Sequence, residues 1–281
     1  MVLRPDCDRL SITEVRRRLD TEVIGRRIYL FGAVDSTSAV LRRLARQGAG
    51  DGTVVLAEEQ TAGRGRPGVR WYSPDAANLY VSVLFRPSLA PQDVALFAPI
   101  ASLALTEAIG AEGAAADIKW PNDVVVGRRK LAGALTEYAA KGNRVSHVII
   151  GIGVNLNMDR AELERALGPD ARDATSVSEA IGRPVDRNAF AARVLNLLEQ
   201  WRTVHTAHGP GAVLAAWQAR DALRGRALEV RTGGTVWRGR GLGIDAGGCL
   251  VVETREGRRC HVVSGAIRLR EAGRELMEAA S

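Results

Sequence analysis

Apolar and polar positions run along this chain in short blocks whose period changes several times. Ile28-Tyr-Leu-Phe-Gly-Ala-Val34, Gly52-Thr-Val-Val-Leu-Ala57 and Asn78-Leu-Tyr-Val-Ser-Val-Leu-Phe85 are apolar, β-branched runs, the pattern of buried strands. Between the first two, Val40, Leu41 and Leu44 share one face of a helix predicted from about Thr37 to Gln47, with Asp35-Ser-Thr-Ser38 as its capping cluster. A short helix is predicted over Ser11–Leu19, where Ser11 and Glu14 stand at capping-box spacing. Pro91 opens an apolar helix to about Ile109, whose content predicts core packing. Asn122-Asp123 marks a turn before the β-branched Val124–Val126, and Gly127-Arg-Arg leads through a hairpin into a strand over Lys130–Glu137. Val145–Ile150 is a further buried strand, ending at Gly151-Ile-Gly-Val-Asn-Leu-Asn157.

From about Arg160 to Arg220 the period is helical, over 161–167, 176–182, 188–206 and 210–219. It then shifts to short strands at 226–231, 235–243, 249–254 and 259–263, separated by Gly233-Gly234, Asp245-Ala-Gly-Gly248 and Glu256-Gly257 turns. That spacing predicts a small β-barrel and a domain boundary near Asp221. The expected fold class is α/β (α+β), a mixed sheet with packed helices over residues 1–220 and a small barrel over 221–281.

Composition narrows the function classes. With 46% hydrophobic and 25% charged residues over 281 positions, the chain is long enough for a substantial core. A run of about 18 apolar residues is not evident, so no membrane span is expected. Arg4, Asp6, Asp8 and Arg9 interrupt any signal-peptide core, and a cytoplasmic location is expected. Cys7, Cys249 and Cys260 form neither a disulfide framework nor a zinc pattern, and His205 and His208 lack a third ligand nearby, so no metal site built by the protein alone is expected. The net charge of +7 points to anionic partners. The basic residues are nearly all arginine; lysine occurs only at Lys119, Lys130 and Lys141. Where a chain writes arginine by habit, a lysine suggests a need for a compact ammonium on a flexible stem.

The stretch that carries most chemistry runs from Glu58 to Pro74. It sets Gly63, Gly65 and Gly68 among Arg64, Arg66 and Arg70 and closes on Trp71. Glycines let backbone N–H groups approach an anion, and arginine forks suit carboxylate and phosphate oxygens. The segment lies between two predicted strands, so it is a loop within a fold rather than a disordered tail.

Four motifs together carry a family resemblance: Gly63-Arg-Gly-Arg-Pro-Gly-Val-Arg-Trp71, Lys119-Trp-Pro-Asn-Asp123, Lys130-Leu-Ala-Gly-Ala-Leu-Thr-Glu137 and Gly151-Ile-Gly-Val-Asn-Leu-Asn157. In this order and spacing the chain resembles the biotin–protein ligases, from Asp35-Ser-Thr37 to the C-terminal strands. The resemblance implies a biotin/lipoate-ligase-like α/β catalytic domain with an SH3-like C-terminal domain. It implies biotin as substrate, ATP with Mg2+, a biotinyl-5′-adenylate intermediate, and transfer to a lysine of a biotin carboxyl carrier protein. On the matching positions, Ser36, Thr37 and Gln60 resemble contacts to the ureido end of biotin. Gly63, Arg64 and Arg66 resemble loop contacts to biotin and phosphate, and Trp71 an apolar wall. Lys130 resembles the lysine bridging the biotin carboxyl and the α-phosphate. Gly133 and Gly151 resemble positions lining the biotin slot. Lys119, Asn122 and Asp123 fall in the nucleotide and metal neighbourhood, with Mg2+ near Asp123, and Arg70, Gly153, Asn155 and Asn157 on the adenylate edge. Arg64, Arg66, Lys119 and Lys130 carry the catalytic assignment.

Two departures stand out. Gly68-Val69 replaces a second Gly-Arg of the loop, with Arg70 as the neighbouring cation. Only 34 residues precede Asp35, so a monofunctional ligase without specific DNA binding is expected. Homodimerisation through the sheet is also a family trait. Two alternatives are weighed on the same residues. A lipoate or octanoate ligase or transferase would need a longer apolar tunnel and no ureido contacts, which Gln60 and the C-terminal barrel argue against. A basic nucleic-acid-binding protein would explain the charge and the Gly/Arg loop, but no aromatic stacking platform accompanies them.

Overall fold

The computed structural model describes residues 9–66 and 68–269; Cys7, Pro67 and the outer ends of the two expected domains lie outside the described residues. Among the described residues two sheets form. The larger runs β1(Ile28–Val34), β2(Val54–Gln60), β3(Leu79–Phe85), β4(Asp117–Lys119), β5(Asp123–Val126), β6(Arg129–Lys141) and β7(Arg144–Val154), in the spatial order β1-β2-β3-β7-β6-β5-β4. β1 and β2 pair parallel and every other neighbour pair is antiparallel, so the sheet is mixed as expected. β3 is buried at all seven positions, which explains its near-continuous apolar sequence.

Helices cover this sheet. α2(Thr37–Arg46) buries Val40 and Leu41 against one face. On the other face α3(Phe97–Ala111), entered through a 3-10 turn over Pro91–Leu96, packs against α6(Arg187–His208). Segment 91–111 is long and apolar enough, by length and composition alone, to cross a membrane, although Asp93, Ser102, Thr106 and Glu107 interrupt its apolar run. It is a core helix: Ile100, Leu103, Leu105 and Ile109 are all but fully buried, each worth about 1.5–3 kcal/mol of transfer free energy. The remaining helices are α1(Ile12–Arg17), α4(Arg160–Leu167), α5(Val177–Ile181) and α7(Pro210–Ala219).

Several local expectations change. Ser11 caps α1 by accepting the Glu14 N–H, but the box is not reciprocal. The Glu14 carboxylate takes Arg17 and Arg18 instead, and Asn188 accepts the Ser11 N–H. Asp123 opens β5 rather than sitting in the turn. Gly151 and Gly153 lie inside β7, not beyond its end. A buried ion pair, Arg187 to Glu58 at 2.8 Å, ties α6 to β2, and the other Glu58 oxygen accepts the Leu10 N–H. Removing either partner would leave a buried charge unpaired.

The second sheet is antiparallel: β8(Ala227–Thr232), β9(Thr235–Ile244), β10(Leu250–Glu253), β11(Arg259–Val262) and β12(Ala266–Leu269), in the order β11-β10-β9-β8-β12. It forms a small barrel-like module; β12 was not anticipated. Its link to the larger sheet is direct. The Ile118 N–H donates to the Arg220 carbonyl and the Ala222 N–H to the Ile118 carbonyl, and the Trp120 indole donates to the Gly248 carbonyl at 2.9 Å. Gly248 has a positive φ of 77°, which suits glycine at that turn.

Candidate active site

One cavity gathers most of the expected residues: Ser36, Thr37, Gln60, Arg64, Arg66, Trp71, Asn122, Asp123, Lys130, Gly133, Gly151 and Gly153 all line it. Its walls are the N-terminal turn of α2, the ends of β2, β6 and β7, and the loop that follows β2.

The closed end is neutral. The first turn of α2 lines this end, and Ser36, at the cap position, makes no side-chain capping bond. The Gln60 Oε1 accepts both the Thr37 N–H, at 2.9 Å, and its hydroxyl, at 3.2 Å. The Ser82 hydroxyl, fully buried in β3, lies 2.8 Å from Thr37 Oγ1 and 2.9 Å from Ser38 Oγ. Gln60 Nε2 donates to Ser73 Oγ, which donates on to the Trp71 carbonyl. Asp35 sits just outside. Burial pushes its carboxyl up, but the Ser36 N–H and the Arg43 guanidinium outweigh this and hold it below the usual range.

Glycines shape the cavity by what they omit. A Cβ on Gly151 would sit 2.4 Å from Ser38 Oγ, so the hydroxyl occupies the space a side chain would fill. A Cβ on Gly153 would lie 2.6 Å from Trp71 Cε2 and Nε1, so only glycine lets the indole lie against β7. Gly63 is equally constrained, with Trp71 O at 2.5 Å from its notional Cβ.

The open end is charged. Lys130 Nζ lies 2.5 Å from Asp123 Oδ1 and 5.2 Å from the centre of the Trp71 ring. The loop is a small hairpin: Arg64 and Arg70 bridge antiparallel, Gly65 donates to the Val69 carbonyl and Trp71 to the Gly63 carbonyl. Arg66 reaches away to donate to the Gly265 carbonyl of the barrel-like module at 2.8 Å. Trp71 Nε1 and Asn122 Oδ1 are buried with no partner among the described residues. Polar atoms in that condition are costly unless a ligand or water meets them.

Other expected residues stand elsewhere. Lys119 lies on β4 opposite Asp123, Arg70 is exposed on the outer limb of the hairpin, and Gly63 sits behind the loop. Asn155 donates to the Thr175 carbonyl, and Asn157 brackets Val185, donating to its carbonyl and accepting its N–H. Both amides hold the 174–185 segment, and neither lines the cavity. Conversely, sequence reasoning missed Ser38, Ser73 and Ser82 as parts of the site. A hydroxyl at the centre of an otherwise apolar, fully buried strand was the available signal for Ser82.

This geometry agrees with what comparison of the whole chain finds. Residues 30–155 match the Biotin/lipoate A/B protein ligase family. The bifunctional ligase/repressor BirA of Bacillus subtilis is 35% identical over 251 residues, covering 89% of this chain and 76% of its own. The biotin–[acetyl-CoA-carboxylase] ligase of Paracoccus denitrificans is 36% identical, covering 82% of this chain and 95% of its own. Among solved structures, the biotin protein ligase from Aquifex aeolicus in complex with biotin and ATP superposes with a TM-score of 0.73 at 25% identity, over 88% of this chain and 100% of that one. The chain belongs to the biotin/lipoate A/B protein ligase family, and within it to the biotin protein ligases.

Proposed function

We propose that this enzyme activates biotin with MgATP in the cavity between α2, β6 and the 63–71 loop, and passes it to a lysine of a biotin carboxyl carrier protein. The carrying observation is the polarity of the cavity: a neutral hydrogen-bonding end at Thr37, Gln60 and Ser38, and a cationic end at Lys130, Arg64 and Arg66. Biotin has the same polarity, a neutral cyclic urea at one end and a carboxylate at the other. The apolar stretch between them suits Trp71, Leu135 and Ile152, which also line the cavity.

In the first step a biotin carboxylate oxygen attacks the α-phosphorus of ATP. The bond to the β-phosphate breaks and pyrophosphate leaves. Two anions must meet, so Lys130 with the loop arginines lowers their repulsion and stabilises charge developing on the α-phosphoryl oxygens. In the second step the neutral amine of the carrier lysine attacks the acyl carbon, AMP leaves, and the amine loses its proton. The hairpin loop, pinned by Trp71 on Gly153, shields the mixed anhydride from water. Asp123 and the unpartnered Asn122 Oδ1 offer oxygens to a hard cation, and no group of three or more metal-ligating side chains occurs among the described residues. Magnesium brought with the nucleotide would be held by these oxygens and would neutralise phosphate charge there. We assign residues up to about 220 to this chemistry and those from Asp221 to an SH3-like module that bears on it through Gly248 and Gly265.

The test is calorimetric titration of biotin, then MgATP, followed by mass spectrometry of the products with a carrier domain. Biotin binding, biotinyl-adenylate and a carrier heavier by one biotinyl group are expected. Adenylation of octanoate or lipoate in preference to biotin would sink the reading.

A further inference from the structure

The hydrogen bonds at the closed end have only one consistent direction. The Trp71 carbonyl can only accept, so the Ser73 hydroxyl donates to it, and Ser73 Oγ accepts from Gln60 Nε2. That fixes the Gln60 amide with Oε1 toward Thr37, where the Thr37 N–H can only donate. The Thr37 hydroxyl proton also goes to Oε1. Thr37 Oγ1 must then accept from Ser82, 2.8 Å away, and Ser82 must accept from Ser38, 2.9 Å away. A backbone donor at one point and a backbone acceptor at the far end thus polarise a chain of four side-chain hydroxyls and one amide.

From this direction we infer that Ser82 is a positioning residue that turns the closed end of the cavity into a set of acceptors. It never needs to touch the ligand. Because the Ser38 proton is spent on Ser82, Ser38 Oγ faces the cavity with its lone pairs, at the place a side chain on Gly151 would fill. Thr37 Oγ1 retains one more. Such a surface takes N–H donors, which a cyclic urea has and a dithiolane or an alkyl chain lacks. Ser82 therefore selects the ureido ring. β3 is otherwise apolar and fully buried at this level, and Ser82 stands opposite Gly151 in the β3–β7 register, so the hydroxyl has no competing partner on the ladder.

This inference rests on the biotin reading above. The test is steady-state adenylate formation by the full chain with Ser82→Cys, Ser38→Ala and the double variant. Cysteine keeps nearly the volume of serine but is a weak hydrogen-bonding group. Ser82→Cys is expected to raise the KM for biotin about tenfold, the loss of one buried hydrogen bond, while kcat and the KM for ATP stay within about twofold. The double variant is expected to fall short of the product of the two single effects, because Ser82 acts in part through Ser38 and in part through Thr37. A wild-type KM in folded Ser82→Cys, a parallel fall in kcat, or effects that multiply in the double variant would overturn it. Absence of biotinyl-adenylate from the wild type would overturn the biotin reading itself, and this inference with it.

Discussion

The two ends of the cavity are built on opposite principles. At the closed end, Ser38, Ser82, Thr37, Gln60 and Ser73 are neutral, buried or half-buried, and bonded to one another. At the open end, Lys130, Asp123, Arg64 and Arg66 are charged and at least partly exposed, and Asn122 Oδ1 has no partner among the described residues. Under the proposed function, the difference follows from what each end must do. Recognition of a neutral ring needs donors and acceptors already oriented, because reorienting them would cost the binding energy they supply. Charge chemistry needs groups that change partners as phosphate enters and leaves. Lys130 is held by Asp123, and Arg66 by the barrel-like module, through contacts an anion can displace.

Breaking the open end should have the largest effect. Lys130→Ala is expected to slow adenylate formation by about 10²–10³-fold, measured as pyrophosphate release, with the melting temperature almost unchanged. Near-normal turnover would remove Lys130 from its role. Next comes the junction between the two sheets, where Asp221 bridges to Ile118 of β4 with Oδ2 buried and without a partner among the described residues. Burial pushes its pKa up to about 6; the Leu223 N–H and Arg224 offset this only in part, and Asp117 adds to it. A folded pKa above the unfolded 3.8 means that the folded state holds a proton the unfolded chain has lost between these values. Stability is therefore full below the unfolded pKa, declines as pH rises through about 6, and is then level. Asp221→Asn should be more stable than the wild type above that window, by about 2 kcal/mol, with the gap closing at lower pH. Melting curves at both ends of the window check this, and an equal gap at both would contradict it.

Two glycine substitutions sharpen the comparison. Gly151→Ala drives a methyl onto Ser38 Oγ, which its bond to Ser82 keeps from yielding. Biotin affinity should fall about tenfold, read by titration, with ATP binding retained. Gly133→Ala is the same change at the open end, where the nearest atom is Lys130 Cε at 3.5 Å, an ordinary contact. It should leave the melting temperature within about 1 °C and lower turnover only a few-fold. Equal effects from the two would erase the distinction between a rigid and a yielding end.

Much of this was legible in the sequence. Periodicity located every strand of the larger sheet except the three-residue β4, together with its covering helices, because burial on one or both faces writes itself into residue type locally. The glycines, arginines and lysine of the four motifs marked the cavity, since loop conformation and fixed charge demand particular residues. Less legible were Asn155 and Asn157, which looked like a ligand edge but spend their amides on Thr175 and Val185. An asparagine looks the same in sequence whether it binds a ligand or a neighbouring loop.

What the sequence determined by itself was therefore the order of elements, the apolar faces and the stock of polar groups available at the site. Which of those groups meet was decided by the tertiary structure alone. Ser82 reaches Ser38 and Thr37 across 44 and 45 residues, and Arg66 finds Gly265 across 199. The physical reason is one of range. Hydrophobic periodicity acts within a few residues along the chain, whereas a side-chain hydrogen bond acts over about 3 Å in space, and only the folded sheet converts the first into the second.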